Sequence, residues 1–151
     1  MKLAFIKVGG DSMKRKYLLA SHGKLAEGLQ SSLNILADKG KDFQVINAYV
    51  TEDDYTPEVV EFIHSINKDE QAVIFTDLFG GSVNQKIVTE VMNSNNENIF
   101  VVSNTNLAII LSILFVGAEN LTSEIIEGCI ADSQVALVST TLIQEEEETF
   151  F

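Results

Sequence analysis

Short apolar runs alternate along this chain with stretches in which apolar residues return every third or fourth position. The first pattern suits strands buried on both faces, the second amphipathic helices. Lys16 to Ala20 reads as the first core strand. Leu25, Leu29, Leu33 and Leu36 then recur at helical spacing, and Gly40 closes that helix. Phe43 to Val50 is the second strand and Thr51 to Tyr55 an acidic loop. Thr56-Pro57 opens the next helix as cap and first-turn proline, with Val59, Phe62, Ile63 and Ile66 as its buried stripe. Ala72 to Thr76 is the third strand. Ser82-Val83-Asn84-Gln85 has the form of a capping box, followed by Ile87, Val88 and Val91 at helical spacing. Ile99 to Val102 is the fourth strand. Asn104 or Thr105 caps a helix through Leu107, Ile110, Leu111 and Leu114, and another helix spans Thr122 to Ala131. Val135 to Leu142 reads as a last strand. With no internal repeat and no linker, the alternation predicts one α/β domain, doubly wound, with a mostly parallel sheet and helices on both faces.

Composition changes this picture little but bounds it. A chain of 151 residues, 46% of them hydrophobic, supports one folded domain with a core rather than two. That domain is placed at 13–142. Residues 1–12 are expected to be an extension or loose arm outside the core, since their apolar part is too short and broken for a signal peptide. Residues 143–151 are expected to be a frayed acidic tail, because Glu145 to Glu148 repel one another. The longest apolar run, Leu107 to Ala118, contains Ser112 and Gly117 and is too short to span a bilayer. A net charge of −12 argues against nucleic acid and anionic membrane surfaces and favours a basic protein partner. The single cysteine, Cys129, rules out an internal disulfide; beside Ile125, Ile126 and Ile130 it reads as a buried, inert thiol. A reducing cytoplasm fits.

The candidate chemistry sits at two strand ends. His22 follows the first strand; Asp77 follows the third and runs into Gly80-Gly81-Ser82. If those strands are neighbours, an imidazole and a carboxylate meet at the carboxyl edge of one sheet, where open α/β sheets bind ligands. A histidine held through one ring nitrogen by a carboxylate leaves the other free to attack phosphorus. Glycines followed by a helix start offer amides to phosphoryl oxygens. Taken singly, each element has a plainer reading as an exposed histidine, a turn aspartate or a simple glycine turn. The site is therefore expected to comprise His22 and Asp77 as catalytic groups and Gly80, Gly81 and Ser82 as the phosphate cradle. His64, among Glu61, Ser65 and Asn67, is expected to be solvent-exposed. Glu52-Asp53-Asp54 lacks the spacing of a calcium loop, so no metal is expected; there is no Walker lysine motif, and no cofactor is expected.

Leu18-Leu19-Ala20-Ser21-His22-Gly23 resembles the opening of the mannose-family enzyme IIA domains of the bacterial phosphoenolpyruvate-dependent sugar phosphotransferase system. Thr76-Asp77-Leu78-Phe79-Gly80-Gly81-Ser82 is similar to that family's second signature, and Ser103-Asn104-Thr105-Asn106-Leu107 to its third. The likeness runs over roughly residues 16–138. It implies that His22 accepts phosphate from the phosphocarrier HPr and passes it to a IIB partner for sugar uptake. It also implies that Asp77 holds the imidazole so that Nε2 attacks, and that Ser82 and adjacent amides cradle the phosphate. The resemblance further implies a cytoplasmic homodimer in which the last strand, Val135 to Leu142, is antiparallel and exchanged. IIA-like regulatory domains and the phosphocarrier subunit of a dihydroxyacetone kinase share the same features, and neighbouring genes would separate these roles. The prolines usual after the motif serine and after Asn-Leu are replaced here by Val83 and Ala108, which should loosen the loop without abolishing transfer.

Overall fold

The computed structural model describes residues 12–142. The expected arm, but for Ser12, and the expected acidic tail lie outside the described residues. Four parallel strands form one sheet in the order β2-β1-β3-β4: β1 Lys14–His22, β2 Phe43–Ala48, β3 Glu70–Thr76 and β4 Ile99–Val102. Five α-helices fill the crossovers and follow the sheet: α1 Leu25–Ala37, α2 Thr56–His64, α3 Ser82–Ser94, α4 Leu107–Phe115 and α5 Ser123–Ala131.

Two-residue periodicity in the strands divides the core into two layers. Tyr17, Leu19, Val73 and Phe75 pack against Ala26 and Leu33 of α1, Ile109, Ile110 and Ile113 of α4, and Ile126 and Cys129 of α5. Leu18, Ala20, Ala72 and Ile74 face the other way, onto Val59, Phe62 and Ile63 of α2 and Val83 and Ile87 of α3. β3 is buried along its whole length, as a central parallel strand covered on both faces must be. The chain winds first from β1 to β2, then crosses back to β3 and on to β4. This leaves a topological switch point between β1 and β3, whose paired register runs up to Ala20 opposite Thr76.

Several element ends differ from the expectations. β2 stops at Ala48, two residues early, because Tyr49 takes a left-handed backbone (φ 69°). α1 ends at Ala37 on a left-handed Asp38, ahead of Gly40, which begins a short 3₁₀ turn. Its buried residues are Ala26 and Leu33, with Leu29 half-buried beside them, while Leu25, Ile35 and Leu36 are exposed. α2 begins at Thr56 itself, with Asp54 Oδ1 accepting from the Thr56 amide and hydroxyl at 3.0 and 2.7 Å. α4 is capped by Asn106, not Asn104 or Thr105: its Oδ1 accepts the Ile109 amide at 2.8 Å, and its Nδ2 donates to Ser133 O at 2.9 Å. Asn106→Ala should cost about 1 kcal/mol or somewhat more, read as a lower urea midpoint with unchanged slope.

Val135 to Leu142 forms no strand. No ladder joins it to the described strands, and Val135, Leu137, Val138 and Leu142 all lie exposed, Leu137 fully. An apolar, β-branched run becomes a strand only where an edge backbone is within reach, and none meets it within the described residues of one chain.

Candidate functional site

The switch point places the ends of β1 and β3 side by side, and two of the sequence candidates meet there. His22 is the last residue of β1. Gly23 then turns the chain with φ 62° and donates its N–H to Ala48 O at 2.8 Å, holding β2 alongside. Asp77 is the first residue beyond β3. Its Oδ2 lies 2.7 Å from both the main-chain nitrogen and Nδ1 of His22, and its Oδ1 accepts the Leu78 amide at 2.8 Å.

The geometry fixes the proton. An ionised carboxylate only accepts, so Nδ1 carries the hydrogen and Nε2 keeps its lone pair. The Asp77 side chain is 9% exposed and that of His22 44%, so the anchor is sheltered while the ring remains open to solvent. Burial works to raise the Asp77 pKa. The hydrogen bonds from the His22 amide and ring and from the Leu78 amide outweigh it, holding the carboxyl below its ordinary value.

Ser82 completes the arrangement: its Oγ is 3.1 Å from His22 Nε2. The expected capping box is not formed. Gly81 occupies the cap position of α3 without a side-chain bond, Ser82 is the first helical residue, and Gln85 Nε2 donates instead to Gly80 O at 2.7 Å. The serine hydroxyl thus serves the imidazole rather than the helix.

The glycines differ in role from the cradle expected of them. The Gly80 amide already donates to Asn84 Oδ1 at 3.0 Å and the Gly81 amide to Leu78 O at 3.0 Å. The Phe79 amide is held by Asn104 Oδ1 at 2.9 Å. The loop amides are therefore used in shaping the loop. The N–H groups left for a ligand are those of the first turn of α3, starting with Ser82 and Val83, which have no intrahelical acceptor. What Gly80 and Gly81 supply is conformation and room. Gly80 has φ 81°, and a Cβ on Gly81 would meet Leu78 O at 3.2 Å and His22 Cε1 at 3.7 Å. Gly80→Ala should destabilise by about 1–2 kcal/mol through the left-handed backbone alone, measured by denaturant titration.

Three contributors lie outside the expected set of site residues. Asn84, buried in α3, donates Nδ2 to Thr76 Oγ1 and Ser103 Oγ while its Oδ1 holds Gly80. Asn104, with φ 54°, clamps Phe79. Tyr49 reaches in from the end of β2, its hydroxyl 3.0 Å from Ser82 Oγ. The signal for Asn84 was a lone amide on an otherwise apolar helical stripe; for Tyr49 it was an aromatic at the same carboxyl edge. His64 is exposed on α2, away from this edge, and Glu52, Asp53 and Asp54 are exposed in the β2–α2 loop.

The chain has relatives among known proteins. The family model EIIA-man, the PTS system fructose IIA component, matches residues 16–130. No curated protein gives a significant match. Among solved structures, the chain is similar to a protein from Klebsiella pneumoniae assigned as a phosphoenolpyruvate-dependent sugar phosphotransferase system permease. The identity is 30%, the TM-score 0.71, and the match covers 83% of this chain and 90% of that one. It also resembles the mannose/sorbose specific IIA subunit of the phosphotransferase system from Enterococcus faecalis. There the identity is 22% and the TM-score 0.67, over 87% of this chain and 99% of that one. The phosphotransferase system component EIIA from Streptococcus agalactiae matches at 20% identity and TM-score 0.63, over 79% and 92% of the two chains. The last two likenesses carry the fold alone.

Proposed function

The chain belongs to the EIIA-man family of phosphotransferase-system IIA components, and from that premise we propose that His22 is its phosphoryl-accepting residue. The observation that carries this reading is the pairing of Nδ1 with Asp77 at 2.7 Å, which leaves the Nε2 lone pair facing Ser82 and the first turn of α3.

In the transfer, Nε2 attacks the phosphorus of the phosphohistidine of HPr. The phosphorus–nitrogen bond of the donor breaks with its electron pair returning to the donor nitrogen. The ring of His22 becomes cationic, and Asp77, keeping the Nδ1 hydrogen bond, offsets that charge. Ser82 and the free amides of α3 receive the phosphoryl oxygens. Catalysis is positioning and electrostatics, with no proton removed from the attacking group. The same steps in reverse deliver the phosphoryl group to a IIB partner.

Protein partners suit the surroundings. Leu25, Tyr49, Val50, Leu78 and Phe79 all expose apolar surface just beyond the strand ends that carry the site, and an apolar rim of that kind is what a protein docks on. The charge of −12 steers basic surfaces toward the chain. No helix among the described residues is long and apolar enough to cross a membrane, and a cytoplasmic place matches a donor chain fed by phosphoenolpyruvate. The exposed run Val135 to Leu142 is suited to adding a strand to a second copy, giving a dimer with exchanged ends.

The test is incubation with phosphoenolpyruvate, enzyme I and HPr, followed by site mapping. An acid-labile adduct at His22 is the expected result. A protein that takes up no phosphoryl group, or takes it elsewhere, would remove the proposal.

A further inference from the structure

We infer that Tyr49 is a positioning residue for phosphoryl transfer, acting through the Ser82 hydroxyl on the attacking nitrogen of His22; this rests on the function proposed above.

Three observations meet at Tyr49. First, it is an aromatic residue with φ 69°, in the left-handed region that bulky side chains avoid. Residues held in such backbone cluster where strain serves function. Second, burial does not explain its placement, because it is 56% exposed. Its ring instead leans on His22, with centroids 5.2 Å apart and planes tilted by 34°, and meets Tyr55 edge-on at 5.6 Å. Third, its hydroxyl lies 3.0 Å from Ser82 Oγ, which lies 3.1 Å from His22 Nε2.

Counting hydrogens gives this chain a direction. Asp77 accepts, so Nδ1 donates and Nε2 offers a lone pair. Ser82 Oγ at 3.1 Å from that lone pair must donate its one hydrogen to it. Ser82 can then only accept from the Tyr49 hydroxyl. In the neutral state that can attack phosphorus, the order is therefore Tyr49 to Ser82 to His22 to Asp77.

The order has a mechanical consequence. Before attack, the serine hydrogen occupies the lone pair that must form the new nitrogen–phosphorus bond. It has to swing away, and a phosphoryl oxygen is the acceptor waiting for it. Tyr49 donates to a different lone pair of Ser82 Oγ, so it can hold that oxygen in place while the hydrogen turns. Without the Tyr49 hydroxyl, Ser82 Oγ loses one of the two bonds that hold it and is free to turn to another χ1 rotamer, away from His22. The geometry that greets the phosphoryl group is then occupied only part of the time. Tyr49 touches neither phosphorus nor the reacting nitrogen by its hydroxyl; its effect passes through Ser82.

Single-turnover transfer from phospho-HPr, measured to saturation, tests this on Tyr49→Phe, Ser82→Ala and the double variant. Tyr49→Phe keeps the ring against His22 and Tyr55 and removes only the hydroxyl. The limiting rate should fall about tenfold, the worth of one well-placed hydrogen bond, with half-saturation unchanged. In the Ser82→Ala background the same change should alter the rate less than twofold. Alongside, nitrogen NMR of the His22 ring should show Nε2 displaced by Tyr49→Phe when Ser82 is present and unmoved when it is absent. A wild-type rate for Tyr49→Phe, or an equal loss with and without Ser82, overturns the inference. A wild-type protein that accepts no phosphoryl group overturns the proposed function instead. The ring resonances need no donor protein and still decide whether Tyr49 acts on His22 through Ser82.

Discussion

His22→Ala protein is expected to accept no phosphoryl group at all, while unfolding close to the wild-type urea midpoint. The two halves of that result have separate causes. Acceptance disappears because the attacking lone pair belongs to one atom, Nε2, held by Asp77 at one edge of the sheet. The other histidine, His64, is exposed on α2 with no such anchor. Stability is nearly kept because the His22 side chain is 44% exposed and buries little. The alanine variant also retains the main-chain N–H that donates to Asp77 Oδ2. The two side-chain hydrogen bonds lost, to Asp77 and Ser82, are partly solvated and together worth about 1–2 kcal/mol. Quenched-flow labelling gives the first half and urea titration the second. Labelled alanine variant would sink the proposal that His22 is the acceptor.

Asp77→Asn should slow transfer by at least about a hundredfold and also destabilise the fold. The carboxylate accepts three N–H groups: two from His22 on Oδ2 and one from Leu78 on Oδ1. An amide has one oxygen. Whichever way it turns, its NH2 faces an N–H donor, so either the imidazole or the loop loses its acceptor. The negative charge that offsets the phosphorylated ring is lost in both orientations. An unsatisfied sheltered donor costs about 1–3 kcal/mol. The pH dependence follows from the lowered pKa of Asp77. Its contribution is fully present above the unfolded carboxylate value of about 3.9 and is lost as pH falls through the lower folded value. The share of the stability gap between wild type and variant that comes from the Asp77 charge should therefore vanish in strong acid, so the gap is smaller there than at pH 7. Urea titrations at pH 7 and in acid measure it; a gap that widens on acidification, or an asparagine variant that transfers at the wild-type rate, contradicts the assignment.

Much of this was legible in the chain because the governing patterns are local. Apolar runs such as Ala72 to Thr76 and Ile99 to Val102 lie within the observed β3 and β4 because a parallel strand covered on both faces is filled mainly by apolar residues, its few polar ones sitting at the ends. His22 and Asp77 could be paired in advance because both sit at the ends of such runs, His22 two residues past Ala20 and Asp77 next after Thr76. Finer features failed where a side chain had a better distant partner than its local one. Ser82 looked like a helix cap and instead bonds His22; Asn106 caps α4 in place of the earlier candidates. Asn84 stands out locally as a lone amide on an apolar stripe, but what it braces does not, since its contacts Thr76 and Ser103 come from different strands' ends. Val135 to Leu142 looked like a strand because an apolar, β-branched run records a tendency to pair, not the presence of an edge to pair with.

By itself, then, the order of residues determined the elements, the two-sided burial of the sheet and the histidine and carboxylate at its carboxyl edge, because periodicity and strand ends are properties of neighbours along the chain. The direction of the hydrogen-bond chain through His22, the use of the glycine amides within their own loop, and the arrival of Tyr49 at Ser82 were decided only in three dimensions. Each depends on which donor reaches which acceptor first across the switch point between β1 and β3, and that competition is settled by distances between segments that the sequence leaves far apart.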